Sequence, residues 1–265
     1  MDQRDFTGLR ANYDTEIELF NYRNKIFVHL FPKLNDSLDA ILGQVRTRTD
    51  QHLEIVIHML VRLCSRHYEA IFLLVTCGHG FSASRILRSL FEKYVDAEYL
   101  RKNPAQIDDF WDYHMFNIIA DCDAASLALH DPNYETKLDR FYTINSNGKK
   151  RKRPQWSTMG LVSKAQAIGL EDPVIEFAYR LPSHMIHSSM REILASFVLE
   201  NDGSISPVSE SSEKERIYAD ECLTISTNIM VTALSLLIDH FGLSTPNEFA
   251  EFCDEYRTFV NGKSS

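Results

Sequence analysis

Apolar residues recur along this chain at the three-and-four spacing of amphipathic helices and almost nowhere in strict alternation. Thr15–Gln44 predicts a first helix, kinked or divided at Pro32. Asp50–Thr76 predicts a second, with Leu53, Ile57, Leu60, Val61, Cys64, Tyr68, Ile71 and Leu74 along one stripe. It stops at CGHGFS, where Gly78 and Gly80 are expected to supply a left-handed terminus. Ser82 or Ser84 is expected to cap a third helix, which ends at Asn103-Pro104. Shorter helices are predicted over Ala105–His130, Asn133–Tyr142 and Ser157–Ile168. Another runs from Asp172-Pro173 through YRLPSHMIHSSM, bent by Pro182. Glu213–His240 is uniformly apolar and expected to be central. Thr245-Pro246-Asn247-Glu248 starts the last helix as a capping box. The pattern therefore predicts an all-α protein: one helical bundle of long antiparallel helices over residues 1–265, with flexible loops near 143–156 and 201–212.

The third helix carries the most informative polar positions. In RILRSLFEKYVDAEYLRKNP, Ile86, Leu87, Leu90, Phe91, Tyr94 and Val95 fall on an apolar half at about 100° per residue. Arg85, Arg88, Glu92, Asp96 and Tyr99 fall in a narrow arc of the other half. Arginines three apart, with a glutamate four later, can hold an anion or orient an acid; they can also form an ion-pair ladder on a solvated face. Glu98 lies in the apolar arc, where a carboxylate needs a partner.

Composition narrows the function. A net charge of −9 excludes a surface that binds polyanions everywhere, so nucleic-acid contact requires a local basic patch. The run KKRKR, Lys149, Lys150, Arg151, Lys152 and Arg153, is such a patch, followed by Trp156, a base-stacking candidate. The five cysteines form no CxxC pair, which argues against a zinc ribbon or disulfide framework and for reduced thiols. The N-terminus has no apolar leader, and the runs Ala70–Cys77 and Ile229–Ile238 read as core helices rather than membrane spans. The expected location is cytoplasmic, with no membrane partner. His184 and His187 share a helix face, but there is no HExxH and the carboxylates Glu176 and Glu192 are near in sequence only, so no metal is expected. GxSxG and phosphate-loop motifs are absent, and no cofactor is expected.

Two segments, SRILRSLFEKYVDAEYLRKNP and the stretch Trp156–His187, together resemble an uncharacterised bacterial all-helical family, domain of unknown function five-six-seven-seven. The matching positions are Arg88 and Glu92, then Trp156, Ala167 and Gly169, then Tyr179, Ser183 and His187. The resemblance covers about residues 50–200 and implies an all-α fold without a defined reaction. Arg180 and His187, with six residues between them, also resemble the arginine–histidine pair of the higher-eukaryote-and-prokaryote nucleotide-binding helical superfamily, many of whose members are metal-independent ribonucleases. Arg23/His29, Arg46/His52 and Arg62/His67 have similar spacing, and about two such pairs arise by chance. Only the placement of Arg180/His187 within the family-like segment sets it apart.

The sequence thus points first to a nucleic-acid-directed protein, a metal-independent ribonuclease of toxin or phage-defence type. The catalytic candidates are His187, Arg180, Glu92 and Arg88. The substrate-binding candidates are Arg85, Tyr99, Tyr179, Ser183, Lys149–Arg153 and Trp156. RNA is the expected partner, and a homodimer the expected assembly. The alternative is a non-catalytic helical interaction or dimerisation module, in which the long 213–240 helix supplies a two-fold interface.

Overall fold

The computed structural model describes residues 7–47, 50–121, 136, 139–144, 146–153, 155–186, 197–199, 205–207 and 213–263. The fold is all-helical, as the periodicity predicts. Helices α1 (Thr7–Arg23), α2 (Lys25–Gln44), α3 (His52–Thr76), α4 (Gly80–Lys102) and α5 (Ile107–Asp121) come first, the last entered through a 3-10 turn at Pro104–Gln106. A hairpin of β1 (Tyr142–Ile144) and β2 (Lys150–Lys152) follows. Then come α6 (Leu161–Ala167), α7 (Asp172–Ile175), a π-helical turn at Glu176–Arg180, and α8 (Leu181–Ile186). A second hairpin pairs β3 (Phe197–Leu199) with β4 (Ile205–Pro207). Helices α9 (Glu213–Phe241) and α10 (Asn247–Lys263) complete the order.

Three helices make the centre. Cys64 meets the Leu90 carbonyl across α3 and α4, so these two run antiparallel from the turn at Cys77–His79. Tyr68 meets Thr227, which sets α9 antiparallel to α3. Gly80 lies against Glu215 and Ala219, while Arg101 feels the charge of Asp239, so α4 and α9 run in the same direction. Ile57, Val61, Ile71, Leu87, Leu90, Phe91, Leu223, Leu234 and Leu237 are sealed between them. Each such side chain contributes about 1.5–3 kcal/mol of burial. Antiparallel α2 and α10 add a flanking layer through Phe27, Tyr256 and Phe259, with Lys33 and His29 on Glu255. Buried residues from Phe20 to Tyr256 belong to one core.

Several boundaries differ from the expected ones for physical reasons. The break between α1 and α2 falls at Asn24, not Pro32, which sits inside α2 on its exposed side. Asn24 is buried and its amide donates to Asp220 on α9, beside the Arg23–Asp220 ion pair. Tertiary anchoring therefore places the break. At the α3–α4 turn, Gly78 takes the left-handed conformation (φ 81°) and His79, not a serine, precedes α4. Gly80 serves close packing instead. A Cβ there would lie 2.1 Å from the Glu215 carbonyl oxygen and 2.8 Å from the Ala219 nitrogen. Ser84 is buried and donates to the Phe81 carbonyl.

The region expected as a flexible loop near 143–156 contains the β1–β2 hairpin, with Thr143 opposite Arg151. The region near 201–212 contains β4, and its remaining positions lie outside the described residues. The bend expected at Pro182 appears as the π turn just before it. A proline there cannot donate to the Ala178 carbonyl, and the amide of Leu181 reaches back five residues to Glu176.

Helix α9 is long and apolar enough to cross a bilayer by length and composition over Glu215–Phe241. Here its apolar faces pack on α3 and α4, with Ser226 and Thr227 buried among them. Among the described cysteines, Cys64 and Cys222 are buried and none is disulfide-bonded. Burial pushes the thiols of Cys64 and Cys222 up to about 12, which makes them inert packing groups.

Candidate functional site: the polar ridge of α4

The outward polar face of α4 is lined on one side by α6, the π turn and α8, and flanked on the other by α3 and α5. Three groups of side chains meet along it.

The first lies at the middle of α4. Arg88 Nε donates to Glu92 Oε1 at 3.0 Å, and its guanidinium lies 5.0 Å from the Tyr179 ring centroid. Tyr179 in turn stacks on the buried Phe91 at 6.2 Å. The Ser183 hydroxyl donates to the Tyr179 carbonyl, tying the π turn to α8. Glu92 therefore orients Arg88. The terminal nitrogens of Arg88 make no hydrogen bond with a described residue. This is a half-exposed guanidinium with its plane fixed by an aromatic face and its outer donors unspent. Arg85 sits one turn earlier, exposed.

The second group lies one turn towards the C-terminus of α4. Lys164 is 2% exposed, ion-pairs with Asp96, and holds its ammonium 4.5 Å from the centroid of Trp156. The Trp156 indole N–H donates to the same Asp96 oxygen at 3.2 Å. Asp96 Oδ1 thus accepts from two buried donors, binding α4 to α6 and to the segment after β2. Gly169 ends α6 at φ 94°, and Lys102 donates to the Ile168 carbonyl there. Trp156 is 3% exposed, with Phe110 and Tyr99 against its ring, so it is not open to a stacked base. Tyr99 is likewise buried, its hydroxyl accepting from Gln106 at 3.0 Å. Its place in the polar arc misled because elements pack all round this end of α4, where Ala97, Glu98, Tyr99 and Leu100 are all buried. Glu98 finds its partners in Arg101, through two bonds of 2.6 and 2.8 Å, and Lys102.

The third group was not visible in the sequence. Ser89 Oγ lies 3.2 Å from His67 Nε2 of α3, with the charge of Lys93 close by. Burial first, and the Lys93 ammonium second, hold His67 below its ordinary 6.5. His58 is lowered in the same way, by burial and then by Arg62. A histidine whose folded-state pKa is depressed leaves stability intact above 6.5 and removes it as pH falls through that value, because the unfolded chain takes the proton more readily. Glu215 and Glu221, raised by burial, act in the opposite sense but lower, in the carboxylate range. The urea midpoint should therefore fall between about pH 7.5 and 5.5, and His67→Gln should flatten the fall. An unchanged slope in that variant would exclude His67 as a contributor.

The remaining candidates do not join this ridge as free groups. Arg180 is paired with Glu176 at 3.4 Å in an exposed i,i+4 contact. Within the basic run, Lys150 ion-pairs with Asp139 and lies over Tyr142. Lys152 lies over Tyr113, and Arg153 donates to the Arg140 carbonyl and lies over Phe141. Most of that run is thus docked on its own domain. Arg151 is exposed on β2 opposite Thr143, and Lys149 is exposed just before the strand. His187 lies outside the described residues. Among the described residues no group of three histidine, cysteine or acidic side chains is placed to hold a metal.

Lys164 was missed although a signal existed. It occupies the i+3 position of the stripe Leu161, Ala165, Ile168, and a lysine on an apolar stripe requires a buried acid. Of the positions that carry the family resemblance, Arg88, Glu92, Tyr179 and Trp156 make contacts along α4 and Ser183 is bonded to Tyr179; Gly169 ends α6, and His187 lies outside the described residues. No curated protein and no solved structure matches the chain. The family described as a family of unknown function (DUF5677) matches residues 53–205, which run from α3 to the start of β4 and include the whole ridge. On that match over more than half of its length, the chain belongs to this family.

Proposed function

We propose that the ridge of α4 engages the phosphates of RNA and that the protein is a metal-independent ribonuclease of toxin or phage-defence type. The observation that carries this reading is Arg88: Glu92 and Tyr179 fix its guanidinium while its terminal donors remain unspent. Such a fork suits bidentate capture of a phosphate. Arg180 is a second ligand, because an exposed i,i+4 pair with Glu176 exchanges for a phosphate at little cost. His187 follows α8 directly in the chain and is assigned the proton transfer. The ribose 2′-hydroxyl loses its proton and attacks phosphorus, the bond to O5′ breaks, and that oxygen leaves protonated. His187 takes the first proton while water supplies the second, or supplies the second while water takes the first, and the arginines stabilise the charge that builds on the phosphorane. Lys149 and Arg151 steer the strand.

Purified wild type incubated with mixed RNA in the presence of a chelator should cleave it. His187→Ala should lose about 100-fold or more of that rate while keeping its circular dichroism spectrum. Full cleavage by the variant, prepared free of contaminating nuclease, removes the assignment. Arg88→Lys should weaken RNA binding nearly as much as Arg88→Ala, because the fork and the ring contact matter beyond charge. Equal binding by Arg88→Lys and wild type would reduce the site to a point charge.

A second reading, a homodimeric interaction module, draws on a different surface. Phe177 and Ile217 are 42% and 49% exposed and flank a groove of about 310 Å³ between the π turn and α9. In that reading Ile217→Asp converts a dimer to a monomer in analytical ultracentrifugation. A wild-type protein that sediments as a monomer at all concentrations ends it.

A further inference from the structure

Helices α2 and α3 touch sparsely, and between them opens a groove of about 380 Å³, within the size range of small-ligand sites. One wall carries Arg62 and Arg66, a single turn apart on one face of α3. Neither guanidinium makes a hydrogen bond or ion pair with a described residue, although Asp39 and Glu69 line the same groove. Like charges at this spacing repel, and neither guanidinium is ion-paired with a described residue. On the opposite wall, Asn35 buries its side-chain carbonyl oxygen with no hydrogen-bond donor among the described residues. At the mouth, Gly43 has nothing within 4 Å of where a Cβ would be, so access is open.

We infer that the α2–α3 groove binds a small phosphate ester bearing hydroxyl groups. A compact dianion bridging Arg62 and Arg66 turns their repulsion into charge-assisted hydrogen bonds. Hydroxyls on the rest of the ligand supply the donor that Asn35 lacks, and donate to Asp39 and Glu69. Those two carboxylates also set the class of ligand. They repel the continuous charge of a nucleic-acid strand, whereas a single phosphate reaches the arginines and leaves uncharged hydroxyls facing the acids. The site is separate from the α4 ridge and does not depend on the RNA reading.

The test is calorimetric titration of the full-length protein with ribose 5-phosphate and with inorganic phosphate. Ribose 5-phosphate should bind more tightly than inorganic phosphate. The Arg62→Ala/Arg66→Ala variant should bind it at least about tenfold more weakly. Asn35→Leu should bring the two ligands to similar affinity. Both arginines are exposed and unbonded, so the double variant is expected to fold; if it does not, Arg66→Gln should give a smaller loss of the same sign. No heat from either ligand with wild type, or equal binding by wild type and the arginine variants, overturns the proposal. So does competition by a short oligoribonucleotide that disappears in Arg62→Ala/Arg66→Ala, since the groove would then hold RNA. A failed cleavage assay with His187→Ala leaves these outcomes unaffected.

Discussion

Gly80→Ala should destabilise the protein by about 3 kcal/mol, read as a lower denaturant midpoint at unchanged slope. Two effects oppose each other at this position. Gly80 is the first residue of α4, and alanine is the better helix former by about 1 kcal/mol. Against that, the new methyl would lie 2.1 Å from the Glu215 carbonyl oxygen and 2.8 Å from the Ala219 nitrogen. Both are backbone atoms of α9, so no side chain can swing aside. Relief requires α4 and α9 to separate, in a layer where Ala83, Leu87, Cys222 and Leu223 are already sealed. Sterics therefore win over propensity. Gly43→Ala, in α2 with open space around it, serves as the control and should be neutral or slightly stabilising. Similar midpoints for the two variants would mean that the α4–α9 contact yields easily.

Asp96→Ala should cost about 3–5 kcal/mol, far more than its single charge on a surface would suggest. Asp96 is the acceptor for both the Lys164 ammonium and the Trp156 indole N–H. Removing it leaves an ammonium that is 2% exposed, with the indole face as its remaining partner among the described residues. A cation–π contact of about 2 kcal/mol cannot replace both charge pairing and hydrogen bonds. The diagnostic is the second substitution. Asp96→Ala/Lys164→Met takes away the stranded charge and should recover much of the loss, since an apolar pair of similar volume is tolerated where half an ion pair is not. Arg88→Ala is the contrast: its contact with Glu92 is partly exposed and intrahelical, and its loss together with the Tyr179 contact should cost about 1 kcal/mol. If Asp96→Ala unfolds no earlier than Arg88→Ala, water reaches Lys164 in solution and the buried hub is not a structural tie.

In the sequence Asp96 is one member of a polar arc, and nothing local links it to Lys164. Their contact spans 68 positions, and periodicity along one helix carries no information about what packs over it. Arg88 and Glu92, four apart on one face, were legible as a pair because the α-helix itself brings them together. Residue type and local arc predict Tyr99 and Trp156 as exposed recognition groups; the packing of α5 and α6 around the end of α4 buries both. The basic run reads as a patch by composition, yet the rings of Tyr113, Phe141 and Tyr142 and the carboxylate of Asp139 take up three of its five charges.

The sequence alone determined the helical class, the approximate limits of α3, α4, α9 and α10, and the apolar stripes that fill the core. All of these follow from the repeat of a single helix, a property of neighbours three and four residues apart. Tertiary structure decided the break at Asn24, the close crossing at Gly80, the buried Asp96–Lys164–Trp156 hub, the clasp of Arg88 by Tyr179 and the open groove beside Arg62 and Arg66. Each depends on which distant segment arrives, and at what depth. That choice is made by the sum of burial and charge pairing over the whole chain, and no local pattern contains it.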